Sequence, residues 1–440
     1  MKWNCHKQTL LTQLLKNLGL MNIYDILILI TFIVGYFFIT IEHQTKINKT
    51  SIALLMATVC WVFQFANQHD THAQNLSHFY EHLSGVSQII FFLLGALTIV
   101  EVINVHKGFN IILDCIKIRN KRKLLWFIGF ITFFLSAVLD NLTTTIIMIT
   151  LLRRMLSQGK ERLLLGGAVV IAANAGGAWT PIGDVTTTML WIDGQVSTLS
   201  IMKTLFIPSL ICMVAAFLCI SWFLKGDFKI TKRDETEETE PYSTAIFWLG
   251  ICCLIFVPIF KIITGLPPFM GMMFGLAFLW FFTDLVHSKY EERKHLLVPH
   301  IMTKIDISSV LFFLGILLCI DALSTAGLLN SLAGWMDRVI GNSHIIAVSI
   351  GLASAVIDNV PLVAAAIGMY DLTQFPADSD FWNLIAYCAG TGGSILVIGS
   401  AAGVAFMGLE KVDFFWYFKK VGIPAAVGYF AGIGVYQLIS

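Results

Sequence analysis

With 440 residues, 57% of them apolar and 13% charged, and a mean hydropathy of +0.77, the chain has the composition of a polytopic membrane protein and would be insoluble as a globule. A net charge of +1 gives no basic surface for nucleic acid, which is not expected as a partner. The nine cysteines lie mostly in apolar runs and form no Cys-x-x-Cys pair, which argues against a disulfide or zinc framework.

Residues 1–22 carry Lys2, Lys7 and Lys16 without a continuous apolar core, so no cleaved signal peptide is expected. Apolar runs then predict ten spans, at 23–41, 51–66, 86–106, 163–192, 199–224, 244–264, 268–287, 305–329, 382–408 and 421–438. His69, His72, His78 and His82 fall between the second and third spans, in what reads as a solvated external loop; imidazoles there could also sense pH.

Two further apolar stretches, 124–152 and 344–370, carry Asp140-Asn141 and Asp358-Asn359 near their middles. Lys117, Arg119, Lys121, Arg122 and Lys123 precede the first, and Arg153, Arg154, Lys160 and Arg162 follow it, so both its ends face the cytoplasm. Each arm of about 12 to 16 residues, rising about 1.5 Å per residue, reaches the midplane of a roughly 30 Å hydrocarbon core. This describes a re-entrant hairpin with Asp140 at its tip. The second stretch is flanked by Arg338 and then by Asp371, Asp378 and Asp380, which places both its ends outside. A single long tilted helix in each stretch is the alternative, but it strands one basic flank on the wrong side.

Three blocks recur in order. Phe91 to Gly95 with Glu101 matches Leu311 to Gly315 with Asp321, Ser136 to Asn141 matches Ser354 to Asn359, and Gly176 to Asp184 matches Gly392 to Ser400, at offsets of 220, 218 and 216. The expected architecture is all-α and membrane-embedded. A first inverted repeat covers 23–224 and a second covers 244–440. A cytoplasmic linker at 225–243 joins them, with an acidic run read as a solvated tether.

Gly176, Gly177 and Gly183, and again Gly392, Gly393 and Gly399, predict broken helices within 163–192 and 382–408, and a backbone broken at membrane depth survives only where it lines a site. Oxygen donors gather at the same places: Asp140, Asn141, Thr143, Thr180 and Asp184 in one half, Asp358, Asn359, Ser394 and Ser400 in the other. Such ligands suit a small hard cation. One carboxylate cannot fully hold a proton and a cation together, so the residues imply exchange of one for the other. Glu101 and Asp321 are candidates for a proton relay, or for structural pairs with Asn104, His106 or Ser324. Asp184 could instead cap a helix starting near Val185, and Thr186, Thr187 and Thr188 could bond back to helix carbonyls.

The run Asn174-Ala-Gly-Gly-Ala-Trp-Thr-Pro-Ile-Gly-Asp-Val-Thr-Thr-Thr-Met-Leu-Trp191, with Leu139-Asp-Asn-Leu-Thr-Thr-Thr145, closely resembles the NhaD-type sodium/proton antiporters of the ion transporter superfamily. The resemblance runs from about 86 to 438. It implies two inverted repeats, re-entrant hairpins, a homodimer, no cofactor, and export of Na+ or Li+ against protons across a membrane, the bacterial inner membrane by expectation. Symporter relatives carry Ser-Asn-Thr at their hairpin tips, and here Asp140 and Asp358 take the serine position. Pro361 stands where the first tip has Thr143. The rival readings are Na+-coupled dicarboxylate or arsenite transport on the same scaffold, a channel, and an intramembrane aspartyl protease, which would require a glycine where Pro181 stands.

Overall fold

The computed structural model describes residues 22–67, 72–115, 118, 120–156, 159–227 and 240–440. Residues 1–21, His69, Lys117, Arg119 and most of the acidic linker lie outside the described residues. Among the described residues the regular structure is helical, in the order α1 (Ile23–Thr40), α2 (Lys49–Ala66), α3 (His72–Val105), α4 (Lys121–Ser136), α5 (Asn141–Met155), α6 (Lys160–Gly177), α7 (Val185–Ile192), α8 (Thr198–Ser221), α9 (Ser243–Thr264), α10 (Pro268–His287), α11 (Ile307–Thr325), α12 (Leu328–Val339), α13 (Ser343–Ala353), α14 (Asn359–Met369), α15 (Asp380–Gly392), α16 (Ala401–Glu410) and α17 (Phe414–Ile439). Eight of these helices, α1 to α3, α8 to α11 and α17, are long and apolar enough to cross a membrane. The protein is an all-α polytopic membrane protein.

The chain forms two compact units. One comprises residues up to 87 with 307–335, and the other comprises 88–306 with 336–440. In the first unit α2 packs against α1 and α11. The Trp61 indole donates to the Leu318 carbonyl at 2.8 Å, and the Thr50 hydroxyl donates to the Ser308 carbonyl at 2.8 Å. In the second unit α4 and α5 form a helix–turn–helix packed on α6, and α13 and α14 form another on α15.

Three sequence expectations change. The third helix starts at 72 instead of 86, so His72, His78 and His82 lie in α3 and not in a loop. No Gly or Pro interrupts the chain between 72 and 84, and its polar groups find partners: Gln64 donates to Asn75 at 3.4 Å, and Phe79 meets the Trp61 ring edge-on at 4.9 Å. The last helix starts at 414 instead of 421, through a π-turn at Phe418–Gly422 just before Pro424, whose missing N–H interrupts the ordinary ladder. A short amphipathic helix, α12, follows the eighth predicted span where none was expected.

Candidate functional site

Four helices of the second unit begin at the repeated polar positions, and each is capped by the residue singled out there. Asp140 accepts from the Thr143 amide at 2.8 Å, Asp184 from the Thr186 amide at 2.9 Å, Asp358 from the Val360 amide at 3.5 Å, and Ser400 from the Gly403 amide at 3.2 Å. Side-chain oxygens suit these positions because the first turn of a helix has amides without intrahelical acceptors. The capping alternative for Asp184 is therefore present in the geometry, and its carboxylate has further contacts.

Asp184 Oδ1 also accepts from the Thr186 hydroxyl at 2.9 Å, while Oδ2 accepts from Asn141 Nδ2 at 2.5 Å and from Asn359 Nδ2 at 3.5 Å, the outer limit of a hydrogen bond. The asparagines of both helix–turn–helix tips thus converge on one carboxylate, which is 2% exposed. Asn141 Nδ2 also donates to Asn174 Oδ1 at 3.0 Å, and Asn174 Nδ2 donates to Ser394 at 2.8 Å and Ser400 at 2.9 Å. One polar chain, Asn359 to Asp184 to Asn141 to Asn174 to Ser394 and Ser400, crosses between the sequence halves. Charges at Asp358 and Asp140 both bear electrostatically on Asp184.

Asn174 is the member of this polar chain that the sequence did not single out. It opens the specific 18-residue block, but its counterpart at the 216-residue offset is Gly390, so comparison of the repeats gave it no polar partner.

The glycines act by close approach. None of the six has a positive φ. A Cβ on Gly183 would stand 2.6 Å from the Ser136 carbonyl oxygen, and one on Gly399 2.6 Å from that of Ala355, so each break nests against the turn of its neighbouring helix pair. Gly177 and Gly393 face Gly183 and Gly399 in the same way, while Gly176 and Gly392 face the backbone at Phe133 and Gly351.

The remaining candidates divide. Thr180 donates to the Ala137 carbonyl at 2.7 Å and ties break to turn. Thr187 and Thr188 bond back to the carbonyls of Asp184 and Pro181. Thr143 donates to Asp140 Oδ2 at 2.5 Å and lines a cleft of about 370 Å³ with Glu101, Asn104, Arg154 and Lys304. Glu101 accepts from Asn104 at 3.2 Å, one of the structural pairs foreseen for it. Asp321 belongs to the first unit, where its partner is His82 at 3.3 Å, not Ser324.

The citrate transporter family CitMHS matches residues 36–390. Sodium/proton antiporter 2 of Arabidopsis thaliana is 51% identical over 92% of this chain and 97% of its own, and sodium/proton antiporter 1 of the same plant is 52% identical over 94% and 72%. The Na(+)/H(+) antiporter NhaD of Vibrio cholerae is 30% identical over 94% of this chain and 91% of its own. The tip residues, the broken helices and these matches agree: the chain belongs to the CitMHS family of membrane transporters and, within it, to the NhaD-type sodium/proton antiporters.

Proposed function

We propose that this protein exchanges Na+, or Li+, for H+ by alternating access, with cation and proton competing for carboxylates near the bilayer midplane. The observation that carries this reading is the set of N-caps. A helix N-terminus bears partial positive charge and by itself suits an anion. Here three of the four caps are aspartates, whose negative charge offsets that field, and one of them, Asp184, turns its Oδ2 into the central polar chain. Asp184 Oδ2 is occupied by two amide donors, so a cation approaching it displaces at least one of them, at the atom a proton would also take. The names of the plant and Vibrio relatives support the same exchange.

The second reading is transport of a carboxylate anion, favoured by the name of the family. Three aspartates in one small site repel such an anion, and neutral caps would serve it better. The architecture proposed around the site is an inverted pair of repeats, 23–224 and 244–440, with re-entrant hairpins at 124–152 and 344–370, assembled as a homodimer in the bilayer. The bacterial inner membrane expected earlier has less support, since identity to the plant antiporters exceeds identity to the bacterial ones.

The test is Na+-induced dequenching of a pH-sensitive dye in everted vesicles from cells lacking their own antiporters. Wild type should dequench with Na+ and Li+, and Asp140→Asn, Asp184→Asn and Asp358→Asn should each lose the response. If wild type moves no protons on cation addition from neutral to alkaline pH but accumulates labelled citrate, anion transport replaces exchange.

A further inference from the structure

Helix α7 has the candidate cation ligand Asp184 at its head and Trp191 in its last turn. The carbonyls closing a helix need donors from elsewhere. Met189 O accepts from the Asp193 amide at 3.0 Å, and Leu190 O accepts from the Gln195 and Val196 amides at 2.9 and 3.3 Å. Trp191 O has a different donor, the Lys261 ammonium on α9, at 2.7 Å.

The same ammonium stands 4.4 Å from the centre of the Trp191 ring. That ring is fully buried, its indole N–H donates to Thr198 at 2.9 Å, and it stands nearly perpendicular to the Phe92 ring of α3, centroids 6.5 Å apart. Lys261 makes no ion pair with a carboxylate among the described residues. A lysine near the end of a membrane helix ordinarily extends to the aqueous interface. This one instead places its charge on a helix C-terminus and an aromatic face, where both the helix dipole and the ring quadrupole favour a cation.

We infer that Lys261 is a positioning residue for cation transport: it fixes the C-terminal end of α7 and so holds Asp184, at the other end, against Asn141 and Asn359. The inference rests on the cation-exchange reading above. An eight-residue helix is a rigid rod about 12 Å long, so a tilt at its Trp191 end is passed to its cap. The contact from Asn359 to Asp184, already at 3.5 Å, is the first to be lost.

The experiment compares Lys261→Met, Lys261→Arg, Trp191→Phe and Thr198→Val in the everted-vesicle assay, reading Na+ KM and Vmax separately, with Na+-induced thermal stabilisation of the detergent-purified protein as a second readout. A charge-assisted hydrogen bond contributes enough that Lys261→Met should raise KM about fivefold or more. Vmax should stay within about twofold, and the Na+-induced stabilisation should shrink. Lys261→Arg keeps the charge, the donor and the ring contact, and should restore KM to within about twofold of wild type. Trp191→Phe keeps the carbonyl but weakens the ring contact and loses the N–H donated to Thr198, so it should give a rise of about twofold, more than Thr198→Val, which loses that bond alone; the pair decides the matter if Lys261→Met fails to fold.

A folded Lys261→Met with wild-type KM overturns the inference, as does failure of Lys261→Arg to rescue. Where Lys261→Met does not fold, a KM in Trp191→Phe no higher than that in Thr198→Val does the same. Wild-type protein that shows neither dequenching nor stabilisation by Na+ removes the exchange reading itself, a result distinguishable from any of these.

Discussion

Asp184 and Ser400 occupy equivalent positions in the two halves, cap equivalent helices and differ by one negative charge. The donors around them are also unequal, because Asn141 and Asn359 both reach Asp184 while Asn174 reaches Ser400. Moving the charge should therefore not move the site. Asp184→Ser should lower Na+-linked proton flux at least about tenfold, in line with loss of a charged, hydrogen-bonded ligand. The double variant Asp184→Ser, Ser400→Asp should remain as inactive, although both helices keep a capping oxygen. Full exchange in the double variant would show that only net charge at the centre matters. Gly183 tests packing at the same scale. Its substitution by Ala drives a Cβ toward the Ser136 carbonyl and the Thr180 hydroxyl, and should cost about 1–3 kcal/mol, read as a lower unfolding midpoint in detergent.

At the level of elements, two contacts outside the site hold helices together. The Arg162 guanidinium at the start of α6 donates to Glu410 at the end of α16 at 2.7 Å, with side-chain exposures of 11% and 2%. Removing Arg162 leaves the buried Glu410 only the longer contact to the half-exposed Arg153 at 3.8 Å, so Arg162→Ala should destabilise the protein by about 3 kcal/mol, while the double variant with Glu410→Ala should recover part of that loss. A thermal melt of the three variants checks this. The second contact joins the residue just after α3 to the last residue of α10. His106 Nδ1 donates to the Val102 carbonyl at 2.7 Å, so in a neutral His106 ring Nε2 is the acceptor for His287 Nε2 at 3.3 Å. Burial pushes His106 down to about 4, with repulsion from His287 and His295 adding to it and the Val102 bond opposing. A histidine depressed in the folded state binds its proton more readily when unfolded. Its contribution to stability is present above the ordinary value of about 6.5 and is lost as pH falls toward about 4. Protection factors of the amides at residues 103–109, which remove the intrinsic pH dependence of exchange, should fall over that window, and His106→Gln, neutral throughout, should flatten the fall. An identical fall in protection in that variant would assign it to other groups.

For the whole molecule, the legible part of the sequence was the part in which membrane physics leaves few choices. The last helix begins seven residues before its predicted start, and eight of the ten predicted spans coincide within a few residues with helices or with the broken segments α6 to α7 and α15 to α16. The third span did not, because the α3 extension is polar and is satisfied by the side chains of α2, a tertiary fact with no hydropathy signal. Asp140, Asp184 and Asp358 stood out because carboxylates are costly in apolar runs. Asn174 did not, since an amide costs less and its repeat partner is a glycine. Hydropathy also leaves open whether residues 121–155 and 343–369, each a helix pair here, enter and leave the membrane on one side. The many basic residues flanking the first pair, against Arg338 alone beside the second, argue that the open ends of the two pairs face opposite sides of the membrane. Single cysteines at the exposed positions Lys123 and Lys160, in a background freed of native cysteines, should then react with an impermeant maleimide in everted vesicles only. Cysteines at Val339 and Leu372, also exposed, should react in right-side-out vesicles only. Labelling of Lys123→Cys and Lys160→Cys from opposite sides would make that segment a simple span, remove the inversion between the halves, and leave the convergence of Asn141 and Asn359 on Asp184 without the symmetry that alternating access requires.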